Sequence, residues 1–299
     1  MTDVTSTPGG RSGTDAFVAH RNLLFTVSYE MLGSAADAED VLQETWLRWA
    51  EVDHEAVRDE RAYLVRIVTR LSLNRLRTLQ RRREEYVGPW LPEPLLTTPD
   101  VAEDVELADS VSTAMLLVLE TLAPTERAVF VLREVFELGY DEIAAAVDKS
   151  PAAVRQIAHR ARAHIDERRP RADVSPSLRD EVIMKFLAAA STGDITSLMD
   201  VLAPDVVLVT DGGGIKKAAL RPILGREKVL RFLDGVAPET GSQADLVMVN
   251  GAPALRIFLD DELDSIGSLL VEDGLVTGIY WVRNPAKLAR LDEVVSLTR

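Results

Sequence analysis

Apolar side chains recur at helical spacing through the first 83 residues, and this spacing predicts three or four helices. Phe17 and Val27 belong to a first helix that is expected to end near Gly33, because glycine readily adopts the left-handed conformation found beyond a helix C-terminus. A second helix is predicted to start at Ser34, and a third runs from about residue 58 to 83. Residues 14–83 are therefore predicted to form an all-α unit, the N-terminal helical domain. The apolar stripe of its second helix consists of Val41, Leu42, Thr45, Trp46 and Trp49.

Residues 84–103 cannot form a regular helix, because they contain Gly88 and prolines at positions 89, 92, 94 and 99. This stretch, the connecting segment, is more apolar than a solvated linker should be. Burying one large apolar side chain is worth about 1.5–3 kcal/mol, so we expect the segment to dock on the domain at the C-terminus, with Trp90 as its anchor. Its large apolar residues are Tyr86, Val87, Trp90, Leu91, Leu95 and Leu96.

The helical period resumes at Asp104 and breaks at Pro124 before it continues. A short helix over 141–147 and a basic helix follow. Ser150 is a favourable N-cap and Pro151 a favourable first helical residue, so the start of the last helix is well marked. Residues 104–170, the second helical domain, are predicted to be a four-helix unit that ends in a helix-turn-helix.

Two helical stretches, 178–191 and 195–202, open the last part of the chain, and a β-branched strand over 206–210 follows them. Four further apolar runs are typical of strands and are separated by turn signals such as Asn250-Gly251 and Asp273-Gly274. Helices followed by a meandering antiparallel sheet indicate an α+β fold for residues 175–299, the C-terminal domain. The four later runs are residues 244–250, 254–259, 265–272 and 275–282.

Charge is strongly segregated along the chain. The net charge of −14 argues by itself against a nucleic-acid partner. Residues 61–83, however, carry eight arginines and no acid, and residues 151–171 carry six arginines and two acids. The third helix and the last helix of the second helical domain are therefore basic islands in an acidic chain. Clustered arginines without neighbouring acids repel one another, and binding to a polyanion such as DNA relieves that repulsion. Both islands are therefore candidate DNA contacts.

Composition excludes several other classes of protein. The 299-residue chain has no cysteine, so it has neither disulfides nor thiolate zinc sites. The absence of disulfides is consistent with a protein that works in a reducing compartment. Its longest apolar run, 114–119, is far shorter than the roughly 20 residues of a membrane span. The first thirteen residues lack the apolar middle of a secretion signal. We therefore expect a cytoplasmic protein with no membrane contact, no metal and no cofactor.

The last basic helix has the pattern of a DNA recognition helix. Its apolar positions at 154, 157, 158, 161 and 165 face inward, so its basic and polar side chains face outward. Arginine and glutamine suit guanine and adenine edges in the major groove. The alternative is an ordinary solvated helix. The same two interpretations apply to the third helix, where Asn74 is a candidate base contact. The outward residues of the last helix are Arg155, Gln156, His159, Arg160 and Arg162.

Two sequence stretches in the helical domains resemble a known family. The run from Asp37 to Trp49, with 61–68 and 73–77, resembles the second conserved region of extracytoplasmic-function sigma factors, and 139–144 with 150–162 resembles their fourth region. This resemblance implies core RNA polymerase and promoter DNA as partners. It places Asp37, Asp40, Gln43 and Trp46 on the helix that grips the largest polymerase subunit. It places Arg66, Arg70, Asn74, Arg75 and Arg77 at the upstream edge of the melted promoter element. Ser150, Ala153, Arg155, Gln156, His159, Arg160 and Arg162 would then meet the more distal element.

Three further motifs resemble a subgroup of that family with a fused C-terminal domain similar to the SnoaL and nuclear-transport-factor-2 cone. They are the linker 86–92, the loop Asp211-Gly212-Gly213-Gly214 before Lys216, and the terminal stretch 284–288. Two departures are Ile215, inserted before the lysine, and Ala286, where the subgroup tends to carry an acid. The resemblance implies a regulatory contact between domains. Its residues would be Tyr86, Trp90, Asp211, Gly212, Gly213, Gly214, Lys216, Asn284, Pro285 and Lys287.

Two alternatives concern the C-terminal domain, namely a small-molecule sensor and an enzyme tethered to a DNA-binding module. All four histidines precede residue 172, so a histidine-dependent mechanism within this domain is excluded. Its acid or base could only be Asp205, Asp211, Asp245 or Tyr280. The triple glycine lacks the Gly-Lys-Ser/Thr ending of a nucleotide loop, which favours a structural turn. We therefore expect a promoter-specific initiation factor that is not an enzyme and is monomeric when free.

Overall fold

A computed structural model describes residues 13–98, 101, 104–168, 174–235 and 242–299. The predicted N-terminal tail, up to residue 12, lies outside the described residues. So do residues 102–103 and 169–173, at which the predicted domain boundaries fall. Among the described helices, none is long and apolar enough to cross a membrane.

The N-terminal helical domain contains the three predicted helices, α1 (Gly13–Leu32), α2 (Ala35–Ala50) and α3 (Glu60–Glu84). Gly33 follows α1 with a φ of 65°, and the Ser34 side chain caps α2 by accepting a bond from the Asp37 amide. A short 3-10 turn, His54–Ala56, joins α2 to α3. Trp49 is fully buried and donates its indole N–H to the Gly13 carbonyl at 2.6 Å, so this tryptophan is a structural residue.

The second helical domain has five α-helices in its described part instead of the predicted four. They are α4 (Val105–Val111), α5 (Thr113–Glu120), α6 (Pro124–Phe130), α7 (Tyr140–Val147) and α8 (Pro151–Asp166). The extra helix arises at Ser112, whose extended ψ of 147° ends α4 and whose hydroxyl caps α5 by accepting from Met115. A π-helical turn, Val131–Val135, extends α6. Ser150 caps α8 as predicted, and α7 and α8 form the expected helix-turn-helix.

The two helical domains pack directly on each other and share one hydrophobic core, which runs from Ala16 to Ile165. Polar contacts cross the same junction. Arg70 of α3 donates to the Ala145 carbonyl of α7 at 3.0 Å, and Ser110 of α4 donates to the buried Glu30 carboxyl of α1 at 2.8 Å. We call this packing of the two helical domains the closed arrangement.

The C-terminal domain is α+β, as predicted. Helices α9 (Pro176–Thr192), α10 (Ile195–Val201) and α11 (Arg226–Gly235) accompany an eight-stranded sheet. The long strands are β2 (Leu202–Asp211), β4 (Ser242–Val249), β5 (Ala252–Leu259), β6 (Glu262–Glu272) and β7 (Leu275–Val282), and the short strands are β1 (Leu96–Thr97), β3 (Ile223–Leu224) and β8 (Val294–Val295). The strand order is β3-β2-β7-β6-β5-β4-β1-β8. A short helix, α12 (Pro285–Leu288), follows β7.

The sheet corrects the prediction of an antiparallel meander. Strands β4 to β7 do form antiparallel hairpins, but β2 pairs in parallel with β7. Parallel pairing needs a long crossover, and the stretch between these two strands supplies one. Three short strands were also missed, namely β1 (Leu96–Thr97), β3 (Ile223–Leu224) and β8 (Val294–Val295). Strand β1 belongs to the connecting segment and pairs with β4 and β8, so the segment becomes part of the sheet.

Candidate nucleic-acid interface and interdomain contacts

Helix α8 presents a polar face to solvent. Its apolar side chains at 154, 157, 158, 161 and 165 are buried, and Arg155, Gln156, His159, Arg160 and Arg162 are exposed. Arg162 pairs with Glu134 at 2.5 Å, and this bond raises the pKa of the arginine. Ser150 and Ala153 form the hydrogen bond that caps the helix, at 3.2 Å. The N-terminal part of α8 is thus open to a ligand in the closed arrangement.

The arginines of α3 are less free. Arg70 donates to the carbonyls of Ala145 and Ala146, at 3.0 and 3.4 Å, where α7 ends. Arg75 binds the carboxylates of Asp37 and Asp40 on α2.

The other candidates on α3 keep local contacts. Arg66 lies over the Tyr63 ring at 4.8 Å, and Arg77 donates to the Asn74 side chain at 3.1 Å. Asn74 and Arg77 are exposed. The closed arrangement therefore occupies part of the predicted promoter face of α3 and leaves Asn74 and Arg77 accessible.

Helix α2 borders an open groove of about 440 Å³. Asp40 and Gln43 are exposed there, and Trp46 is half-buried against Phe17 with ring centroids 5.2 Å apart. Asp37 is turned toward Arg75 and does not line the groove. Sequence reasoning missed Arg290 of the C-terminal domain, which lines the same groove.

Asp211, at the end of β2, ties the connecting segment to the C-terminal domain. Its fully buried carboxylate accepts bonds from the Tyr86 hydroxyl at 2.6 Å, the Leu91 amide at 2.9 Å and the Lys287 ammonium at 2.7 Å. Burial lowers the pKa of Lys287 to about 8, although the charge of Asp211 opposes this shift. Burial and Asp211 both raise the pKa of Tyr86. The Gly213 amide donates to the same carboxylate at 3.1 Å. A carboxylate with donors from the connecting segment and from the C-terminal domain fixes their relative position.

The other motif residues of the C-terminal domain surround this carboxylate. Asn284 donates to the Tyr86 hydroxyl at 2.7 Å and caps α12, whose first residue is Pro285. Gly213 has a φ of 60°, and a Cβ there would lie 2.3 Å from the Asn284 side chain. A Cβ at Gly212 would lie 2.2 Å from the Lys216 carbonyl. These close approaches make the glycine loop a structural turn, as the sequence favoured.

The remaining loop residues contact different partners. Gly214 lies against Val87 of the connecting segment. The Lys216 ammonium does not reach Asp211 and pairs with Asp264 at 3.3 Å.

The connecting segment docks on the C-terminal domain, and two of its side chains, Leu91 and Trp90, contact that domain in different ways. Leu91 is fully buried among apolar residues of the sheet, whereas Trp90 is half-buried at the junction. The Trp90 ring lies between two cations, with the Arg83 guanidinium 3.7 Å and the Lys287 ammonium 4.2 Å from its centroid. Val87, also expected to be covered, is 54% exposed. Leu91 therefore enters the core of the sheet, while Trp90 contacts both the N-terminal helical domain and the C-terminal domain.

A second interdomain contact was predicted only as a hairpin turn. The buried Asn250 side chain accepts from the Leu95 amide at 2.9 Å and donates to the Tyr29 hydroxyl at 2.6 Å and the Val111 carbonyl at 2.8 Å. One turn of the C-terminal domain thus binds the connecting segment and both helical domains. The Asn-Gly pair predicted the turn, and no sequence signal indicated its partners.

The last residues of the chain reach the helical domains as well. Leu297 is buried in the shared helical core, and the Thr298 amide donates to the Thr26 side chain at 3.2 Å. Arg299 pairs with Asp104 at 3.0 Å. The C-terminal domain therefore contacts α1 and the start of the second helical domain through its final residues too.

A small cavity of about 10 Å³ lies between α9 and the sheet and is lined by apolar residues, including Phe186, Leu269 and Trp281. That volume holds about one water molecule, whereas small-molecule sites usually measure about 300–1,000 Å³.

The four acid or base candidates of the C-terminal domain do not share a cavity. Asp205 is exposed, Asp211 is used by the connecting segment, and Asp245 pairs with Arg256. Tyr280 is largely buried, which raises its pKa to about 12.

Comparisons with known proteins agree with this architecture. The family model described as Sigma-70 region 2 matches residues 16–82, and the one described as Sigma-70, region 4 matches residues 112–165. The extracytoplasmic-function sigma factor SigJ of Mycobacterium tuberculosis is 35% identical over 286 residues, which cover 91% of each chain. The probable sigma factor SigI of the same organism is 33% identical and is covered over 93% of its length. The crystal structure of M. tuberculosis SigJ superposes with a TM-score of 0.74 at 33% identity, covering 93% of this chain and 99% of that one.

Proposed function

The chain belongs to the extracytoplasmic-function family of RNA polymerase sigma factors, and we propose that its fused C-terminal domain holds both helical domains in the closed arrangement until core polymerase binds. It is a sigma factor with a SnoaL-like C-terminal domain, and it directs promoter-specific transcription initiation. The family is not enzymatic, and the cavity of about 10 Å³ between α9 and the sheet favours neither a sensor nor an enzyme as a second function. We further propose that the free protein is a monomer.

The observation that carries the regulatory proposal is the carboxylate of Asp211. It binds the connecting segment through Tyr86 and Leu91, and this segment joins the two helical domains. A sigma factor must match the separation of its DNA-binding domains to the spacing of two promoter elements. A connecting segment clamped to a third domain sets that separation.

We assign the promoter contacts by exposure and position. Arg155, Gln156 and His159 lie near the start of α8 and read base edges of the distal element, since a recognition helix presents its N-terminal side chains to the major groove. Arg160 and Arg162 lie further along and meet phosphates.

On α3, Asn74 and Arg77 are available at once, whereas Arg70 must first leave the α7 carbonyls. Opening of the closed arrangement is therefore part of promoter recognition in this proposal.

The polymerase contact is assigned to the groove beside α2. The groove offers a carboxylate from Asp40, an amide from Gln43 and a half-buried indole from Trp46. A mixed polar and aromatic groove of this kind can bind one face of a partner helix. Asp37 acts indirectly in this proposal, because it orients Arg75 and does not line the groove.

The test is transcription by core polymerase with the Asp211→Asn variant at limiting sigma factor. Loss of the charge weakens the bonds that this buried group accepts, including those from Tyr86 and Leu91 of the connecting segment. The segment should therefore loosen and transcription should rise severalfold. Asp245→Asn is the matched control, because Asp245 belongs to a surface ion pair within the C-terminal domain. Equal transcription by Asp211→Asn and the control, with the radius of gyration unchanged, would contradict the clamp.

A further inference from the structure

The groove beside α2 is formed by two domains. Helices α1 and α2 supply Phe17, Asp40, Gln43 and Trp46, and the C-terminal domain supplies Arg290 just beyond α12. Val18 on α1 and Leu47 on α2 are 63% and 59% exposed. A groove with both aromatic and charged lining residues, on helices that also expose large apolar side chains, is typical of a protein interface.

Some charged side chains of the groove are paired within the chain, and others are not. Arg21 and Glu39 neutralise each other through two bonds, of 2.8 and 2.9 Å. Asp40 reaches Arg75 at 3.2 Å and keeps two thirds of its side chain exposed. In the described part of the chain, the Arg290 guanidinium makes no hydrogen bond or ion pair.

Arg290 does influence one carboxyl nearby. Burial raises the pKa of Glu93, and hydrogen bonds together with the charge of Arg290 offset part of that shift. Arg290 is thus a cation on the groove wall that no carboxylate of the described chain pairs.

We propose that Arg290 is a contact residue for core RNA polymerase, so that the fused C-terminal domain contributes to the polymerase interface. This inference rests on the proposed function, which assigns the groove beside α2 to the polymerase. The occupant is a helix of the polymerase that covers Trp46 with an apolar side chain and presents a carboxylate to Arg290. The unpaired guanidinium, in a groove whose other charges are paired or acidic, specifies that carboxylate.

If Arg290 binds the polymerase, the C-terminal domain remains seated beside α2 when the polymerase docks. Opening then separates the helical domains from each other and leaves the groove intact. A C-terminal domain that merely blocks the groove would have the opposite effect, since weakening its seat would tighten polymerase binding.

The experiment measures the affinity of the full chain for core polymerase, with Arg290→Glu, Arg290→Gln and Trp46→Ala as variants. We expect Arg290→Glu to bind about tenfold more weakly, which corresponds to about 1.4 kcal/mol, and Arg290→Gln about threefold more weakly. The difference between the parent and Arg290→Gln should shrink as salt is raised, because a contact at the rim of an interface is screened. Arg221→Glu is the matched control, since Arg221 is an exposed arginine of the same domain outside the groove.

Three results would overturn the inference. The first is unchanged or tighter binding by both Arg290 variants. The second is weaker binding by Arg290→Glu while Arg290→Gln equals the parent, because introduced repulsion needs no contact in the parent. The third is an equal loss for Arg221→Glu, which would indicate a general charge effect. Trp46→Ala separates this inference from its premise: if Trp46→Ala also binds like the parent, the groove is not the polymerase site.

Discussion

Replacement of Asn250 by glycine should weaken the packing of the C-terminal domain on the helical domains. Asn250 has a φ of 53°, a conformation that glycine adopts freely, so the substitution removes the side chain without backbone strain. Its three side-chain bonds, to Leu95, Tyr29 and Val111, are all buried. The substitution therefore removes the interdomain hydrogen bonds, and the added backbone entropy of glycine is matched in a control variant.

The size of the destabilisation depends on the buried groups that lose a hydrogen bond to Asn250. A buried donor or acceptor that loses its partner costs about 1–3 kcal/mol. The Tyr29 hydroxyl keeps its bond to the Glu93 carbonyl at 2.7 Å, so its loss is the smallest. The Leu95 amide and the Val111 carbonyl lose a buried partner each. We therefore expect a loss of about 2–5 kcal/mol in the free energy that holds the domains together.

Asp273→Gly is the matched control. Asp273 occupies the same position of a second two-residue hairpin turn, with a φ of 50°, and is exposed. The assay is hydrogen exchange at the amides of residues 91–97 together with urea denaturation. Asn250→Gly should speed exchange in that stretch at least tenfold, and Asp273→Gly should leave it unchanged. Equal exchange in the two variants would refute the assignment of this turn as an interdomain contact.

Two further predictions concern DNA and pH. Arg155→Ala should reduce discrimination between promoter and scrambled DNA by about 1–3 kcal/mol. Arg168 is exposed just beyond the end of α8, where a phosphate contact is expected, so Arg168→Ala should weaken binding to both DNAs about equally and lower the salt slope. Equal losses on both DNAs for both variants, measured by fluorescence anisotropy, would contradict this division. Burial raises the pKa of Glu30 from 4.5 to about 8 in the closed arrangement, so the folded state retains a proton that the unfolded state has lost between these values. Stability should therefore fall as pH rises from about 4.5 to 8, and Glu30→Gln should flatten that dependence in denaturation curves; an unchanged slope would contradict it.

Local signals in the sequence predicted the local structure well. Gly33, Ser34 and Ser150 mark helix ends through their own backbone preference or side-chain bond, and each helix end lies where these residues predict it. The Asn250-Gly251 and Asp273-Gly274 pairs likewise predicted their turns, because both positions need a positive φ. Such features depend on neighbours in the chain, which the sequence displays.

Features that depend on distant parts of the chain could not be predicted in the same way. The parallel pairing of β2 with β7 follows from where the crossover stretch leads the chain, and the strand pattern is the same for either direction. Leu91 and Trp90 are both apolar, and only the shape of the sheet core decides which one enters it. Arg290 has no motif around it that indicates the groove, because the other lining residues lie on α1 and α2.

The central claim is that the free protein is closed and opens when polymerase binds. The chain has no cysteine, so Thr78→Cys on α3 and Asp141→Cys on α7 provide two exposed labelling positions on the two helical domains. The distance between spin labels at these positions, measured by pulsed electron paramagnetic resonance, tests the claim most directly. We predict one short, narrow distance distribution for the free protein and a longer distance after core polymerase is added. A long or broad distribution in the free protein, or a short one that polymerase leaves unchanged, would contradict the account.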